Sequence, residues 1–543
     1  MTSVELVAAE RKGVGVYSTP QKIARFLAEW AVRSPSDLVL DPCSGDGVFL
    51  EQVADRLHSL GLRNGLHTHL FGVEINRAVA ERTSRRLQQL YQVSQRIIPQ
   101  GFFRTLQTLR NESFDVVIGN PPFARYRDFL PEQERQLAFD YLENHGFKSS
   151  KNTNAWVPFV VAGFHLLKPG GRLSMVLPAE LLQVAYAAAI RDYLHNQFGF
   201  IYVVAFDRLV FPEVEQEVVL LMGTKGEGRG LHLVESRGDT DPDLLSRSRF
   251  PQDPVQNSTE KWTQYFLDDE QRRTLRATLS CPQVVRLGEV ATVDVGVVTG
   301  DNSYFVMNAH TAEERGISEK RLNSIVTRTN QMKGLVFTKS DWRNANSNYL
   351  LVANGDHRMS RGLKEYIHYG EENGVQNGFK CSIRKPWYSV PSVWTPDALL
   401  FRQIGAFPRI VLNRAQVTCT DTIHRVRFQD KKKSRAIVAS FHNSLTLACA
   451  EIFGRSYGGG VLELMPTEAE KLPIPLLDDP QLLSEMDDVA RNSPIEAIEL
   501  GDERILHEML KLSRKTISLI HGAWFTLSER RRARRRMAAS QSL

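Results

Sequence analysis

Four consecutive residues, Asn120, Pro121, Pro122 and Phe123, combine groups that suit chemistry on a planar amine. The side-chain carbonyl of Asn120 and the backbone carbonyl of Pro121 are two neighbouring hydrogen-bond acceptors, and an NH2 group has two hydrogens to donate. The prolines fix φ and restrict the residue before them, so both acceptors are preorganised. Accepting both hydrogens draws an aromatic amine out of its planar form and frees the nitrogen lone pair to attack a methyl group. We expect Phe123 to stack on the ring that bears the amine.

The segment Asp41–Gly47, with the sequence Asp-Pro-Cys-Ser-Gly-Asp-Gly, predicts a site for a cationic ligand. It lies between a predicted strand and a predicted helix, which is where open α/β sheets bind ligands. Gly45 and Gly47 let the backbone approach a ligand closely. A dinucleotide-binding loop holds a pyrophosphate at a helix N-terminus, whereas the carboxylates of Asp41 and Asp46 would repel one. S-adenosylmethionine carries an ammonium and a sulfonium, and therefore suits this loop.

Glu74 ends the next predicted strand and supplies another carboxylate. A carboxylate at this place can accept hydrogen bonds from two ribose hydroxyls, as the acidic residue of dinucleotide folds does. Ile75 beside it offers an apolar face to an adenine ring. Together with the glycine-containing loop, Glu74 and Ile75 predict a nucleoside site.

The elements that position these residues alternate between strands and helices, which predicts an α/β fold built on a parallel sheet covered on both faces. The predicted strands are 38–41, 70–74, 114–118, 172–177, 200–204 and 217–222, and the predicted helices are 20–32, 47–60, 76–91, 154–167 and 179–195.

Composition narrows the class of protein. The composition, 42% hydrophobic and 24% charged, is typical of globular proteins. The length of 543 residues predicts several domains. No apolar run reaches membrane-spanning length and the first residues lack a signal-peptide pattern, so we expect a cytoplasmic protein with no membrane contact. The five cysteines are scattered and predict neither disulfides nor a metal site. The net charge of +6 is mild, but the basic runs Lys431–Lys433 and Arg530–Arg536 suit phosphate contact as well as they suit solvated surfaces.

The order of the motifs resembles the gamma group of adenine-N6 DNA methyltransferases of restriction–modification systems. The motifs that carry this resemblance are Gly15–Pro20, Asp41–Gly47, Gly72–Asn76, Asn120–Phe123, Lys168–Gly171 and Val210–Pro212. It implies a Rossmann-like S-adenosylmethionine-dependent methyltransferase domain, followed by an α+β DNA-recognition region. By this resemblance, Phe123 and Phe211 are expected to stack on opposite faces of the target adenine. The resemblance assigns cofactor contacts to Tyr17, Thr19, Asp41, Cys43, Gly45, Gly47, Glu74, Ile75, Phe102 and Asn120.

One position departs from the group's pattern. The group usually has an Asp before a Phe after the third strand, where the Asp binds the amine of the cofactor's adenine. Here the corresponding residues are Gln100, Gly101 and Phe102, so Gly101 supplies no carboxylate. Gln100 or a backbone carbonyl could take the place of this carboxylate, and the ring of Phe102 is still expected to pack the adenine against Ile75.

The resemblance implies a domain order and a partner. We expect a catalytic domain over 1–222, a linker over 223–284, a target recognition domain over 285–475 and a helical segment with a basic tail over 476–543. A base inside a duplex cannot reach the site, so the enzyme must flip it out and hold double-stranded DNA, which would associate it with the nucleoid. The candidate recognition features are Gly296–Gly300, Asn302, Tyr304, Phe305, Arg384, Lys385, Trp387, Tyr388, Arg402, Arg409, Arg414 and Arg455–Gly460, none of which is named as a base contact.

Several alternatives stay open. An Asn-Pro-Pro-aromatic motif also serves methylation of guanine N2 in ribosomal RNA and of glutamine in release factors, and cytosine N4 in DNA is a closer rival that Asn rather than Ser at position 120 disfavours. A catalytically silent DNA-specificity subunit is disfavoured by the intact motifs. Whether a separate cognate restriction endonuclease exists is left open by the sequence.

Overall fold

The computed structural model describes residues 19–92, 97–124, 131–148, 153–184, 186–206, 217–226, 228, 230–236, 260–345, 347–354, 359–457, 460–479 and 481–540. The chain divides into two compact units. The first unit comprises residues 1–269 with 457–459 and 533–543, and the second comprises residues 270–456 with 460–532.

The first unit contains a sheet in the strand order β3-β2-β1-β4-β5-β7-β6-β8. Strand β7 runs antiparallel to both of its neighbours, and the other pairs are parallel. The α/β class is therefore confirmed, and the predicted parallel sheet is found except at β7. The strands are β1 (Val39–Asp41), β2 (Leu70–Val73), β3 (Ile97–Ile98), β4 (Phe114–Gly119), β5 (Leu167–Pro178), β6 (Phe198–Phe206), β7 (Val218–Lys225) and β8 (Gly230–Ser236).

Helices cover both faces of this sheet, and one hydrophobic cluster lies on each face. The segment Trp156–Leu166 is apolar on all sides and almost entirely buried, as expected for a helix in the core. The helix predicted over 179–195 is broken into two. The helices of this unit are α1 (Gln21–Ala31), α2 (Val48–Ser59), α3 (Leu66–His69), α4 (Arg77–Tyr91), α5 (Phe102–Leu106), α6 (Glu132–Asn144), α7 (Trp156–Leu166), α8 (Glu180–Gln183) and α9 (Ala188–Gln197), with a 3-10 helix at Trp262–Phe266.

The strand order positions the candidate motifs. From β1 the chain proceeds outward to β2 and β3, and then returns to place β4 on the other side of β1, with Val39 opposite Val116. At such a reversal a crevice opens beyond the carboxyl ends of the two central strands. Both the Asp41 loop and the Asn120 motif begin at this crevice.

The first unit extends past the predicted boundary at residue 222. Strand β8 pairs with β6 along its whole length, from Phe200 opposite Gly230 to Phe206 opposite Ser236. Trp262 and Tyr265 belong to the core of the same unit. The predicted linker over 223–284 is therefore wrong, because the Gly- and Asp-rich composition conceals residues that complete the sheet and its core.

The second unit has α+β character. Its larger sheets have the strand orders β10-β19-β15-β17-β13 and β11-β14-β12-β18. Residues 476–532 belong to this same unit, so the predicted division at 475 is not seen. Its strands are β9 (Val284–Arg286), β10 (Ala291–Val295), β11 (Val306–Asn308), β12 (Leu322–Val326), β13 (Val336–Phe337), β14 (Asn348–Leu351), β15 (Ala398–Phe401), β16 (Gln403–Ile404), β17 (Ile410–Asn413), β18 (Thr418–Cys419), β19 (Ile423–Phe428), β20 (Arg455–Ser456), β21 (Leu462–Glu463) and β22 (Pro473–Pro475).

Helices α17 (Ser434–Phe441) and α18 (Ser444–Phe453) are largely buried, and Asn443 lies between them as the N-cap of α18, where its side chain accepts a hydrogen bond from the Thr446 backbone. The helices that follow α9 are α10 (Asp269–Leu279), α11 (Leu287–Val290), α12 (Asn302–Phe305), α13 (Ala309–Glu314), α14 (Lys339–Asn344), α15 (Arg361–Glu372), α16 (Phe379–Ser382), α17 (Ser434–Phe441), α18 (Ser444–Phe453), α19 (Pro466–Ala469), α20 (Leu482–Ala490), α21 (Pro494–Gly501) and α22 (Arg514–Ser540), with 3-10 helices at Glu319–Arg321, Thr329–Gln331, Val375–Asn377 and Lys431–Lys433 and a π-helix at Asp502–Met509.

Among the described residues, no single helix is long and apolar enough to cross a membrane. The pair Lys431–Phe441 and Ser444–Phe453 reaches the required length only when its two halves are counted together across an 83° bend.

Candidate functional site

The two central loops are in direct contact at Gly119, the last residue of β4. A Cβ on this glycine would lie 2.8 Å from Asp41 Oδ1 and 3.5 Å from Cys43 Sγ. The absence of a side chain at position 119 therefore allows the Asn120 motif to pack against the loop that follows β1.

Asn120 is held by residues far away in the sequence. Its Nδ2 donates a hydrogen bond to Thr19 Oγ1 over 3.1 Å, and its backbone N–H faces the Cys43 thiol. Thr19 is 6% exposed. The resemblance assigned Thr19 to the cofactor, whereas the structure places its hydroxyl on the Asn120 amide.

The rest of the Asn-Pro-Pro-Phe motif lies at the edge of the core. Pro121 is buried, and Phe123 is half-buried where it packs against the hydrophobic clusters of both sheet faces. Ala124 ends the loop by accepting a hydrogen bond from the Ala155 backbone over 2.7 Å. The motif is therefore anchored at both ends.

Asp41 is completely buried at the end of β1. Its Oδ1 accepts a hydrogen bond from the Cys43 backbone over 3.1 Å, while its Oδ2 has no hydrogen-bond partner among the described residues. Burial, with the nearby carboxylates of Glu74 and Asp46, raises the pKa of Asp41 to about 8. Burial likewise raises the pKa of the Cys43 thiol well above its usual value. A buried acceptor among carboxylates favours a cationic, hydrogen-donating ligand.

Glu74 organises the loop that contains Gly45 and Gly47. Its Oε2 accepts from the Gly45 backbone over 3.0 Å and its Oε1 accepts from the Asn76 backbone over 2.7 Å. Gly47 has φ +86°, and a Cβ there would lie 2.6 Å from the side chain of Thr83. Burial raises the pKa of Glu74. Each oxygen of this carboxylate retains acceptor capacity for a further hydrogen bond.

The two apolar residues predicted to hold an adenine are placed differently from one another. Ile75 is 44% exposed, as a ligand-facing side chain requires. Phe102 is only 3% exposed, because its ring stacks on Phe159 at 5.2 Å between centroids. The prediction that the Phe102 ring packs against the cofactor is therefore corrected, since this ring belongs to the core.

Glu134 occupies the position that the sequence left without a carboxylate. A Cβ on Gly101 would overlap the carboxylate of Glu134, which extends from helix α6. The Oε1 of Glu134 accepts a hydrogen bond from the Phe103 backbone, and burial raises the pKa of this carboxyl. Sequence reasoning missed Glu134 because it follows Gly101 by 33 positions. The signal available was the glycine itself, which leaves room for an acid from elsewhere.

Two predicted site residues, Tyr17 and Phe211, lie outside the described residues. The surrounding Val210 and Pro212 lie outside them as well. The predicted roles of Tyr17 and Phe211 stay predictions.

Three of the arginines that sequence reasoning offered for DNA serve the second unit internally. Arg384 donates to the backbone carbonyls of Val298 and Thr299, and Arg409 donates to those of Met332 and Lys333. Arg402 pairs with Glu463 over 2.8 Å. These guanidinium groups bind carbonyls and a carboxylate, whereas Arg414 and Lys385 are exposed.

Residues of the two basic runs also form contacts within the protein. Arg531 is 2% exposed and pairs with Glu451 through two contacts, of 2.7 and 2.9 Å, while it also donates to three backbone carbonyls. Lys431 pairs with Asp397 over 3.0 Å. The prediction of a solvated or phosphate-binding tail is thus wrong for Arg531, which is part of the core.

Comparison with known proteins agrees with this arrangement. The family model described as "Eco57I restriction-modification methylase" matches residues 74–211, and the one described as "Type II methyltransferase M.Eco57I, C-terminal domain" matches residues 259–506. The solved structure of the Type IIL restriction-modification enzyme MmeI in complex with DNA covers 97% of this chain and 76% of its own, with a TM-score of 0.56 at 12% identity. This likeness shows a shared fold.

Two relatives align over most of their length. The Type II methyltransferase M.AccI of Acinetobacter calcoaceticus is 22% identical over 498 residues, which is 86% of this chain and 87% of the relative. The Type II methyltransferase M.XamI of Xanthomonas campestris pv. amaranthicola is 21% identical over 480 residues, which is 86% of each. The chain is therefore similar over most of its length to Type II methyltransferases, and two family models of restriction–modification methylases match parts of both units.

Proposed function

We propose that this protein transfers a methyl group from S-adenosylmethionine to N6 of an adenine in double-stranded DNA, as the modification enzyme of a restriction–modification system. The observation that carries the proposal is the packing of the Asn120 motif against the Asp41 loop through Gly119. A site that accepts both hydrogens of an amine and a site that attracts a cation thereby share one crevice.

The residues of the crevice suit the proposed methyl donor. The buried Oδ2 of Asp41 has no hydrogen-bond partner among the described residues and matches an ammonium. Glu74 has acceptor capacity for ribose hydroxyls, and the exposed Ile75 offers an apolar surface. Glu134 provides a carboxylate where the resemblance expects one for the adenine amine. A pyrophosphate-bearing cofactor would be repelled by these acids.

Thr19 gives Asn120 a definite orientation for the reaction. Because the Asn120 Nδ2 donates to Thr19, the amide oxygen is the atom presented as an acceptor. That oxygen and the carbonyl of Pro121 bind the two hydrogens of the target amine, and Phe123 stacks on its ring. S-adenosylmethionine, when bound, supplies an electrophilic methyl group. The amine nitrogen forms the new N–C bond while the donor's S–C bond breaks, and the amine then releases a proton to water.

The second unit is the proposed reader of DNA sequence. Its match to a C-terminal domain of a Type II methyltransferase supports this role, and so does the fold shared with an enzyme whose structure was solved in complex with DNA. The target base must be flipped out, because a stacked base cannot reach a crevice at a sheet edge. A separate restriction nuclease would recognise the same sequence.

The test is methyl transfer to unmodified DNA, followed by digestion to nucleosides and mass spectrometry. We expect N6-methyladenine at a defined sequence, and none with Asn120→Ala. N4-methylcytosine as the product would replace adenine as the target, and transfer to RNA or protein alone would reject the proposal.

A further inference from the structure

Helix α16 and the turn that follows it present apolar side chains to solvent. Phe379 is 73% exposed and Ile383 is 65% exposed, which makes them the most exposed large hydrophobic residues in the described part of the chain. They lie four positions apart, at the start of this short helix and just after its end. Burying such side chains is favourable, so two of them exposed on one short segment indicate a surface that a partner covers.

The segment beneath these side chains is firmly anchored. Cys381 is completely buried, and a Cβ on Gly300 would lie 2.8 Å from its Sγ. Arg384 donates to the carbonyls of Thr299 and Val298 over 2.5 and 2.7 Å. Trp387 donates from Nε1 to Glu371 over 3.1 Å. Phe379 and Ile383 therefore project from a fixed base, formed partly by the Gly296–Gly300 element.

The segment that bears these side chains is positively charged. Residues 378–388 contain Lys380, Arg384 and Lys385 and no Asp or Glu. The Arg384 guanidinium is already bonded to backbone carbonyls. Lys380 and Lys385 are exposed and form no ion pair within the described residues. The Lys380 Nζ lies 5.4 Å from the centroid of the Phe379 ring. Two apolar side chains flanked by two exposed cations fit a polyanion that also offers apolar surface.

We propose that residues 379–385, which we call the exposed wedge, contact duplex DNA, with Phe379 and Ile383 against base pairs and Lys380 and Lys385 on the flanking phosphates. Apolar side chains that enter a base step unstack and bend the duplex, and Lys contacts to phosphate fix the position of the protein. This inference rests on the proposed function, because it assumes that the second unit binds DNA.

The experiment compares three variants of the full chain on a 40-base-pair duplex that contains the sequence found modified in the methyl-transfer test. They are Phe379→Ala with Ile383→Ala, Lys380→Ala with Lys385→Ala, and Phe525→Ala. Phe525 is the matched control, since it is 57% exposed and has no Lys or Arg within four positions. All three variants should have the melting temperature of the wild type, because the altered side chains are exposed.

We expect the apolar variant to bind the duplex about 10- to 100-fold more weakly, with an unchanged dependence on salt. The lysine variant should lower the slope of log affinity against log salt by about 2, one phosphate contact for each lysine. Phe525→Ala should match the wild type in both measurements.

Two results would overturn the inference: an apolar variant that binds like Phe525→Ala, or one that melts well below the wild type. Failure of the proposed function has a different signature, since the wild-type protein itself would then transfer no methyl group to DNA. If the wild type methylates DNA and the apolar variant binds the duplex as tightly as the wild type, only the proposal for the exposed wedge is rejected.

Discussion

The side chain of Asn120 donates a hydrogen bond to Thr19 Oγ1, although the two residues are 101 positions apart. This bond joins the entry to helix α1 to the end of strand β4. It also fixes which end of the Asn120 amide is presented as an acceptor. Thr19 is therefore a positioning residue in the proposed reaction.

Replacing Thr19 tests this positioning role. We expect Thr19→Val to lower kcat about 2- to 10-fold, since one neutral hydrogen bond contributes about 0.5 to 1.5 kcal/mol. Thr19→Ser retains the hydroxyl and should keep the wild-type rate. Single-turnover methyl transfer with saturating cofactor measures the effect. If Thr19→Val reacts as fast as Thr19→Ser, Thr19 does not position the Asn120 amide for the reaction.

Asn120→Ala should abolish turnover while cofactor affinity stays near the wild-type value, because in the proposed mechanism its side chain binds the target amine. Calorimetric titration with S-adenosylmethionine and a tritium-transfer assay measure the two properties separately. Wild-type turnover in this variant would contradict the catalytic assignment. Loss of cofactor binding would instead place the Asn120 side chain on the methyl donor.

Asp41 predicts a dependence of stability on pH. Burial raises its pKa to about 8, so the folded protein retains a proton that the unfolded chain releases near pH 4. Between about pH 4 and pH 8 the free energy of unfolding should therefore fall as pH rises, by at most about 1.4 kcal/mol per pH unit from this group. Asp41→Asn should remove this contribution and be more stable than the wild type at pH 8. Asp140, which is exposed and is not one of the acids that act on Asp41, provides the control Asp140→Asn, which should retain the wild-type slope in urea unfolding.

Glu134→Ala tests whether this carboxylate recognises an adenine amine. We expect the Kd of S-adenosylhomocysteine to rise about 10- to 100-fold, as expected for loss of a charge-assisted hydrogen bond. The inosine analogue, which lacks the amine, should bind both proteins equally. Adding Gly101→Asp to Glu134→Ala should restore part of the affinity for the adenine compound. Equal weakening of both ligands would show that Glu134 only stabilises the start of helix α5.

The arginine run offers a comparison between adjacent residues. Arg531→Ala leaves Glu451 buried without its partner and should destabilise the second unit by about 3 to 5 kcal/mol. Arg532 pairs with Glu529 in a more exposed position, so Arg532→Ala should change stability by less than about 1 kcal/mol. Chemical denaturation of both variants measures the difference. Similar stabilities would contradict the core placement of Arg531.

The sequence predicted the elements that contain the motifs because local patterns specify them. Strands β1 and β4 are apolar runs followed by Gly, Pro or Asp, and β2 is an apolar run followed by Glu74, so each of these patterns spans only a few positions. Strands β3 and β8 were missed. The first has two residues and the second follows a Gly-rich stretch, so neither shows a clear alternation.

Long-range partners could not be predicted in the same way. Gly101 leaves room for an acid but does not identify Glu134, and nothing near Thr19 indicates Asn120. The same holds for Arg409, because a guanidinium binds backbone carbonyls as readily as phosphates and only the fold decides between them.

Gly119 shows that intolerance to substitution and participation in chemistry are different properties. Even a methyl group at this position would press on Asp41 and on Pro42, whose Cδ would lie 3.4 Å away. In a mutational library, position 119 should therefore appear as restricted as Asn120, although its lack of a side chain leaves nothing to touch donor or base. Variants that accept a larger residue there should carry a second change in the loop after β1.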